Sequence, residues 1–153
     1  MNEKILKLIS GGESGNIEFK ECKDCISDSV YETVCSFLNT KGGDILLGVS
    51  DNKEILGVKQ EKLETLKMDF INSVNNPNKI SPPMSLSISD EYIDDKILLH
   101  IFVPESSAVH KCAGQIFIRN NSADFDITDN QHEMAALYLE NLQYIRKIPS
   151  FLL

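Results

Sequence analysis

The sequence predicts an α+β domain: a mixed, mostly antiparallel sheet with three to four helices packed on it. Three observations lead there. Apolar residues recur at helical spacing in separate stretches, at 3–9, 26–38, 63–74 and 134–145. Two unbroken apolar runs, 45–49 and 97–103, have the length and composition of buried strands. The second half of the chain, up to its last stretch, reads mostly as strand.

The elements follow in order. Residues 3–9 place Ile5, Leu8 and Ile9 on one side of a short helix that Gly11-Gly12 stops. Residues 17–21 alternate apolar and charged side chains, as a half-buried strand does. Ser29-Val30-Tyr31-Glu32 reads as a capping box, in which serine and glutamate satisfy the first free N–H groups of a helix. Ile26, Val30, Val34, Phe37 and Leu38 keep the helical spacing, and Gly42-Gly43 ends it. After the strand 45–49, Asp51-Asn52-Lys53 turns the chain, and Ile55-Leu56-Gly57-Val58 returns as a hairpin partner. Leu63, Leu66, Phe70 and Val74 mark a helix that Asn75-Asn76-Pro77 closes. Leu86 and Ile88 alternate with serines, residues 90–95 link them to the run 97–103, and 116–119 forms another strand. Thr128 caps a last helix carrying Met134, Tyr138, Leu142 and Ile145. There is no internal repeat and no low-complexity linker, so residues 1–153 read as one domain.

Composition narrows the function classes. An apolar fraction of 42% and a charged fraction of 25% are those of a soluble globular protein. No apolar run approaches the roughly 20 residues that span a bilayer, and the opening Met1-Asn2-Glu3-Lys4 lacks the features of a secretory leader. The expectation is a cytoplasmic protein without membrane partners. A net charge of −8 argues against a broad basic surface for nucleic acid, whose phosphates draw mainly on lysine and arginine. A local basic patch, or metal ions held by carboxylates, would still serve.

Three acids stand out: Glu13, Glu18 and Asp51. Phosphodiester cleavage commonly uses carboxylates that converge on Mg²⁺ or Mn²⁺, hard cations that prefer oxygen ligands and lower the pKa of an attacking water. Glu18 belongs on the polar face of its strand, Ser14-Gly15-Asn16 can fold Glu13 back toward it, and Asp51 ends the adjoining buried strand. The plainer alternative is three solvated acids among the 23 of the chain. Lys20, Lys41 and Arg119 are the candidate phosphate contacts. Lys41 lies in the turn Asn39-Thr40-Lys41-Gly42-Gly43, whose backbone N–H groups can cradle an anion or can simply stop a helix. No Gly-x-x-x-x-Gly-Lys-Ser/Thr segment occurs, so a P-loop ATPase is not supported. Cys22-x-x-Cys25 with His110-x-Cys112 has unorthodox spacing for zinc, and separate thiols with a loop histidine fit the residues better. Cys35 reads as a small buried hydrophobe, and His100 as structural.

The blocks Glu13-Ser14-Gly15-Asn16-Ile17-Glu18-Phe19-Lys20, Val34 through Gly43, and Ile45-Leu46-Leu47-Gly48-Val49-Ser50-Asp51 together resemble the Schlafen-type AlbA-like domain. Val103-Pro104, His110 and Ile116-Phe117-Ile118-Arg119-Asn120-Asn121-Ser122 resemble that family's second block. The resemblance implies a nucleic-acid-binding module, with members labelled DNA-binding domains or transcriptional regulators and some carrying an older divergent AAA ATPase label. It implies as an alternative a divalent-metal endoribonuclease acting on structured, tRNA-like RNA, with Glu13, Glu18 and Asp51 as the acidic trio and Lys20 stabilising charge on the phosphate. Nucleotide binding at Gly42-Gly43 is a third reading, and DNA or RNA is the partner expected; the apolar Phe151-Leu152-Leu153 reads either as a homodimer contact or as packing against the chain's own core. Departures from the family pattern are Leu38 for a small residue, Ser50 for an acid, and Asn121 for a glycine. Asparagine tolerates a left-handed backbone, so that turn survives. Asp124-Phe125-Asp126 stands where relatives often place a basic residue, which weakens phosphate binding on this edge.

Overall fold

The computed structural model describes the backbone of residues 2–147 and the side chains of residues 2–142; Ile145 and Phe151-Leu152-Leu153 lie outside the described side chains. The helices are α1 (Glu3–Gly11), α2 (Asp28–Asn39), α3 (Leu63–Val74, entered through a 3₁₀ turn Gln60–Lys62) and α4 (Gln131–Lys147). The strands are β1 (Ile17–Lys20), β2 (Gly43–Leu47), β3 (Ile80–Ser81), β4 (Ile88–Ile93), β5 (Lys96–Val103), β6 (Lys111–Cys112), β7 (Phe117–Asn120) and β8 (Ala123–Asp126). This is the expected α+β architecture.

The central sheet has the order β1-β2-β5-β4. β1 and β2 are parallel, with Glu18 opposite Ile45, because α2 is the crossover that parallel neighbours require. The other pairs are antiparallel, and β3–β6 and β7–β8 form two small ribbons. Alternation along β2 sends Ile45 and Leu47 to one face, where Val34, Phe37 and Leu38 of α2 and Leu66 and Phe70 of α3 cover them. Leu46 points the other way, into a second core with Phe19, Leu98 and the α1 residues Ile5 and Ile9. Both faces of β2 are thus buried, which is why its sequence shows no polar alternation.

Several boundaries differ from the sequence expectation. α2 starts at Asp28 after Ser27, so Ser29 lies inside the first turn and the capping box does not form; the Ser27 and Ser29 hydroxyls meet each other at 2.9 Å. Residues 55–58 do not make a hairpin strand; only the single bridge Val49–Ile55 survives. The link 90–95 is mostly β4, with the reversal confined to Asp94-Asp95, Asp94 being left-handed at φ 53°. At the last helix the Asn130 side chain accepts the Glu133 N–H, whereas Thr128 Oγ1 accepts from Ile116 and ties two loops together.

Candidate functional site

β7 and β8 place Arg119 opposite Asp124, and the ribbon packs on α2. From there the Arg119 side chain reaches the start of β1. Its Nη1 stands 2.7 Å from Glu18 Oε2 and 2.9 Å from Asp124 Oδ1. Nη2 donates to the Ser14 carbonyl at 3.0 Å and the Ile17 carbonyl at 3.3 Å. The guanidinium also lies over the Phe37 ring, 5.0 Å from its centroid. Only 2% of the side chain is exposed, and Nε, buried with it, has no partner among the described residues. Thr33 donates to the second Asp124 oxygen at 2.5 Å, which binds the ribbon to α2.

Glu13 folds back as the Ser14-Gly15-Asn16 turn permits. Its Oε1 accepts the Phe19 N–H at 3.1 Å, and its carboxyl meets that of Glu18. Lys20 Nζ is 3.8 Å from Glu18 Oε1. Burial pushes the Glu18 carboxyl up to about 7; Arg119 opposes this through its hydrogen bond and charge, the Glu13 contact adds to it, and Lys20 opposes it weakly. Glu18 and Asp124 thus share one buried guanidinium, and burial is what makes the Glu18 carboxyl hold its proton up to near neutrality.

Asp51 is exposed in the turn closed by Ser50 N–H to Glu54 O and Lys53 N–H to Ser50 O, beyond the far end of β2. Glu13 and Glu18 meet alongside the middle of β1, where the Glu13 carboxyl takes the Phe19 N–H. Among the described residues no group of three or more His, Cys, Asp or Glu side chains is arranged to hold a metal ion. Of the trio expected to ligate Mg²⁺ or Mn²⁺, the contacts join Glu13 to Glu18, and Arg119 is the cation that Glu18 holds. His110, considered with the cysteines for zinc, spends its ring on the Pro82 carbonyl at 2.8 Å and Ser106 Oγ at 2.6 Å.

The turn after α2 has a structural job. The Gly42 N–H bonds Phe37 O at 2.8 Å, so it closes the helix instead of facing an anion. Gly42 has φ 71°, and a Cβ there would stand 2.4 Å from Val103 O; at Gly43 it would stand 2.6 Å from Asn16 O. Both glycines are there for close backbone approach. Asn39 is buried, with its amide donating to the His110 and Phe117 carbonyls at 2.9 Å each and its oxygen accepting the His110 N–H at 2.7 Å. Lys41 alone of this turn's candidates is exposed.

These segments enclose a groove of about 560 Å³ lined by Gly15, Asn16, Lys41, Arg119, Asn121 and Glu140, among others. Asn121 takes the left-handed backbone expected of it, at φ 55°.

A family model described as Schlafen, AlbA_2 matches residues 13–128. The chain belongs to the Schlafen, AlbA_2 family. A search of the curated proteins finds no match. Among solved structures, this Schlafen, AlbA_2 chain is similar to the DIP2311 protein from Corynebacterium diphtheriae, with a TM-score of 0.59 and 12% identity. That match covers 81% of this chain and 29% of that one, so the chain spans under a third of its neighbour. It is also similar to the N-terminal domain of a RecG-related protein from Nitrosomonas europaea, with a TM-score of 0.51 and 25% identity over 65% of this chain and 71% of that one. The matched span begins at Glu13 and ends at Thr128, so it takes in Glu13, Glu18, Arg119 and Asp124, the groups that the structure gathers. The sequence reading missed Asp124 as Arg119's partner, taking it only as an unhelpful acid. A hairpin centred on Asn121 would have put positions 119 and 124 across from each other.

Proposed function

We propose that this chain is a nucleic-acid-binding module whose interface is the groove between Ser14-Gly15-Asn16, Thr40-Lys41 and Asn120-Asn121, and that it serves as a DNA-binding regulator. One observation carries the reading: the three segments that hold the family motifs converge on one groove, and a buried arginine with an unpartnered Nε lines it. Amides, hydroxyls and backbone from two turns give it the mixed donors and acceptors that suit sugar and phosphate oxygens. Lys41 supplies an exposed charge. Glu105 and Glu140 on the rim oppose phosphate, so affinity here is modest and strongly dependent on salt. The printed description of the RecG-related neighbour, a DNA-helicase relative, supports the same class of ligand.

The test is fluorescence anisotropy with single- and double-stranded DNA and hairpin RNA at about 50 mM salt. Binding should weaken on adding salt and fall several-fold in Lys41→Glu. A wild-type protein that binds none of these probes sinks the proposal. Repeating the RNA arm with Mn²⁺, beside a Glu18→Gln control, reads out the nuclease alternative in the same samples.

A further inference from the structure

A second groove lies at the other end of β1 and β2, and Gly48 builds it. The Gly48 N–H donates to Lys20 O at 2.7 Å, and its carbonyl accepts the Leu56 and Gly57 N–H groups at 2.8 Å each. Val58 N–H then bonds Ile97 O at 2.8 Å. A side chain at Gly48 (φ 101°) would strike Leu98 at 2.9 Å and Gly57 at 3.1 Å, so the two glycines allow these backbones to touch. The loop after β1, the segment 56–60 and the start of β5 are therefore fixed side by side. Between them is a groove of about 640 Å³, lined by Lys23, Lys59 and Lys96 from the three segments, with Gly57 and Asp95.

The charges there run against those of the whole chain. Three lysines (Lys23, Lys59, Lys96) line the groove with one acid, Asp95, and Asp24 pairs with Lys59 beside it, a local excess of one positive charge in a protein of net charge −8. Among the described residues no ion pair ties Lys23, Lys62 or Lys96. Asp24 stands 2.9 Å from Lys59 Nζ. Its carboxyl is held below the ordinary range, first by the Lys59 hydrogen bond and charge and then by Lys62 and Lys23. An exposed carboxylate thus already marks the point at which an oxyanion is favoured.

We propose that this groove binds consecutive phosphates of a phosphodiester or polyphosphate chain through Lys23, Lys59 and Lys96, with Asp24 as a built-in competitor for Lys59. That nucleic acid supplies the phosphates rests on the proposed function; the phosphate chemistry of the groove does not. In that case the groups that meet the ligand lie at both ends of the sheet, Lys23, Lys59 and Lys96 at one and the amide-rich groove with Lys41 at the other.

The experiment titrates inorganic tripolyphosphate into the isotope-labelled protein and follows amide shifts by NMR. Shifts centred on Lys23, Gly57, Lys59 and Lys96 are expected. Lys23→Gln with Lys96→Gln should weaken affinity about tenfold. Asp24→Asn should tighten it about two- to threefold, the opposite sign from the lysine changes. No shift in this groove, or an Asp24→Asn variant that binds no better, overturns the proposal. A second arm measures single-stranded oligonucleotide binding by the same variants. A fall in affinity, with the salt slope lowered by about one for each lysine removed, assigns the site to nucleic acid. Tripolyphosphate shifts with unchanged oligonucleotide affinity assign it to a free polyphosphate. Wild-type protein that shifts with tripolyphosphate and binds no oligonucleotide sinks the proposed function and leaves this site standing.

Discussion

Arg119 Nη1 lies 2.7 Å from Glu18 Oε2 and 2.9 Å from Asp124 Oδ1, so one buried guanidinium serves two carboxylates on two different strands. Its other nitrogen, Nη2, holds the backbone of the turn that brings Glu13 to Glu18. The acid pair and the basic residue, which in the sequence look like separate tools, are one assembly.

Removing Arg119 should be costly. Arg119→Met leaves the buried Glu18 and the half-buried Asp124 without their cation, and a loss of about 3–5 kcal/mol is expected in chemical denaturation. Arg119→Lys should recover only part of it, because an ammonium cannot fork between two carboxylates and two carbonyls. If Arg119→Met unfolds at the wild-type midpoint, the assembly is not stabilising.

The pH dependence has a definite sign. The Glu18 carboxyl, raised to about 7 by burial, holds its proton in the folded state at pH values where the unfolded chain has lost it. Its contribution to stability is complete below its ordinary value of about 4.5 and is lost as pH rises through about 7. Glu18→Gln removes this proton, so the stability difference between variant and wild type should change by about 2 kcal/mol from pH 5 to pH 8, in favour of the variant at the higher pH. Parallel urea midpoints for the two proteins across that range would refute the assignment.

The α2–β2 turn should reject any side chain. Gly43→Ala drives a Cβ toward Asn16 O and the Phe37 ring, which stands 2.8 Å away. A loss of about 2 kcal/mol or more in thermal or urea melts is expected. Gly11→Ala is the contrast: nothing lies within 4 Å of its Cβ position at the end of α1, and a gain of about 0.5–1 kcal/mol is expected.

Asn39 should tolerate no isostere. Asn39→Asp turns a donor into a third acceptor against the His110 and Phe117 carbonyls. The expected cost is about 2–4 kcal/mol. A stability unchanged at pH 7 would show that the three bonds carry nothing.

How much of this was legible depends on what each element buries. α1, α3, β2 and β5 announce themselves, because each places a run or stripe of apolar residues against a core. β8 does not: Ala123-Asp124-Phe125-Asp126 is mostly exposed, and its pairing comes from the Asn121 turn and from Arg119. β3 and β6 are two residues each, too short for any periodicity. Within the site, the Glu13–Glu18 meeting was readable from the Ser14-Gly15-Asn16 turn. Asp51 was not placed by sequence, because Gly48 redirects the chain at the end of β2, and a strand period says nothing about where such a bend points.

The hydrogen bond from Arg119 to the Ser14 carbonyl joins residues 105 apart in the chain. Synthesis proceeds from the N-terminus, so the turn 14–16 and the acids beside it leave the ribosome long before their guanidinium does. The first groove consequently has no floor until β7 and β8 have been made. A nascent or prematurely terminated chain, although it already carries the most recognisable block of the family, cannot present that surface. That surface is therefore acquired late, after the central sheet and the family's first block have been made.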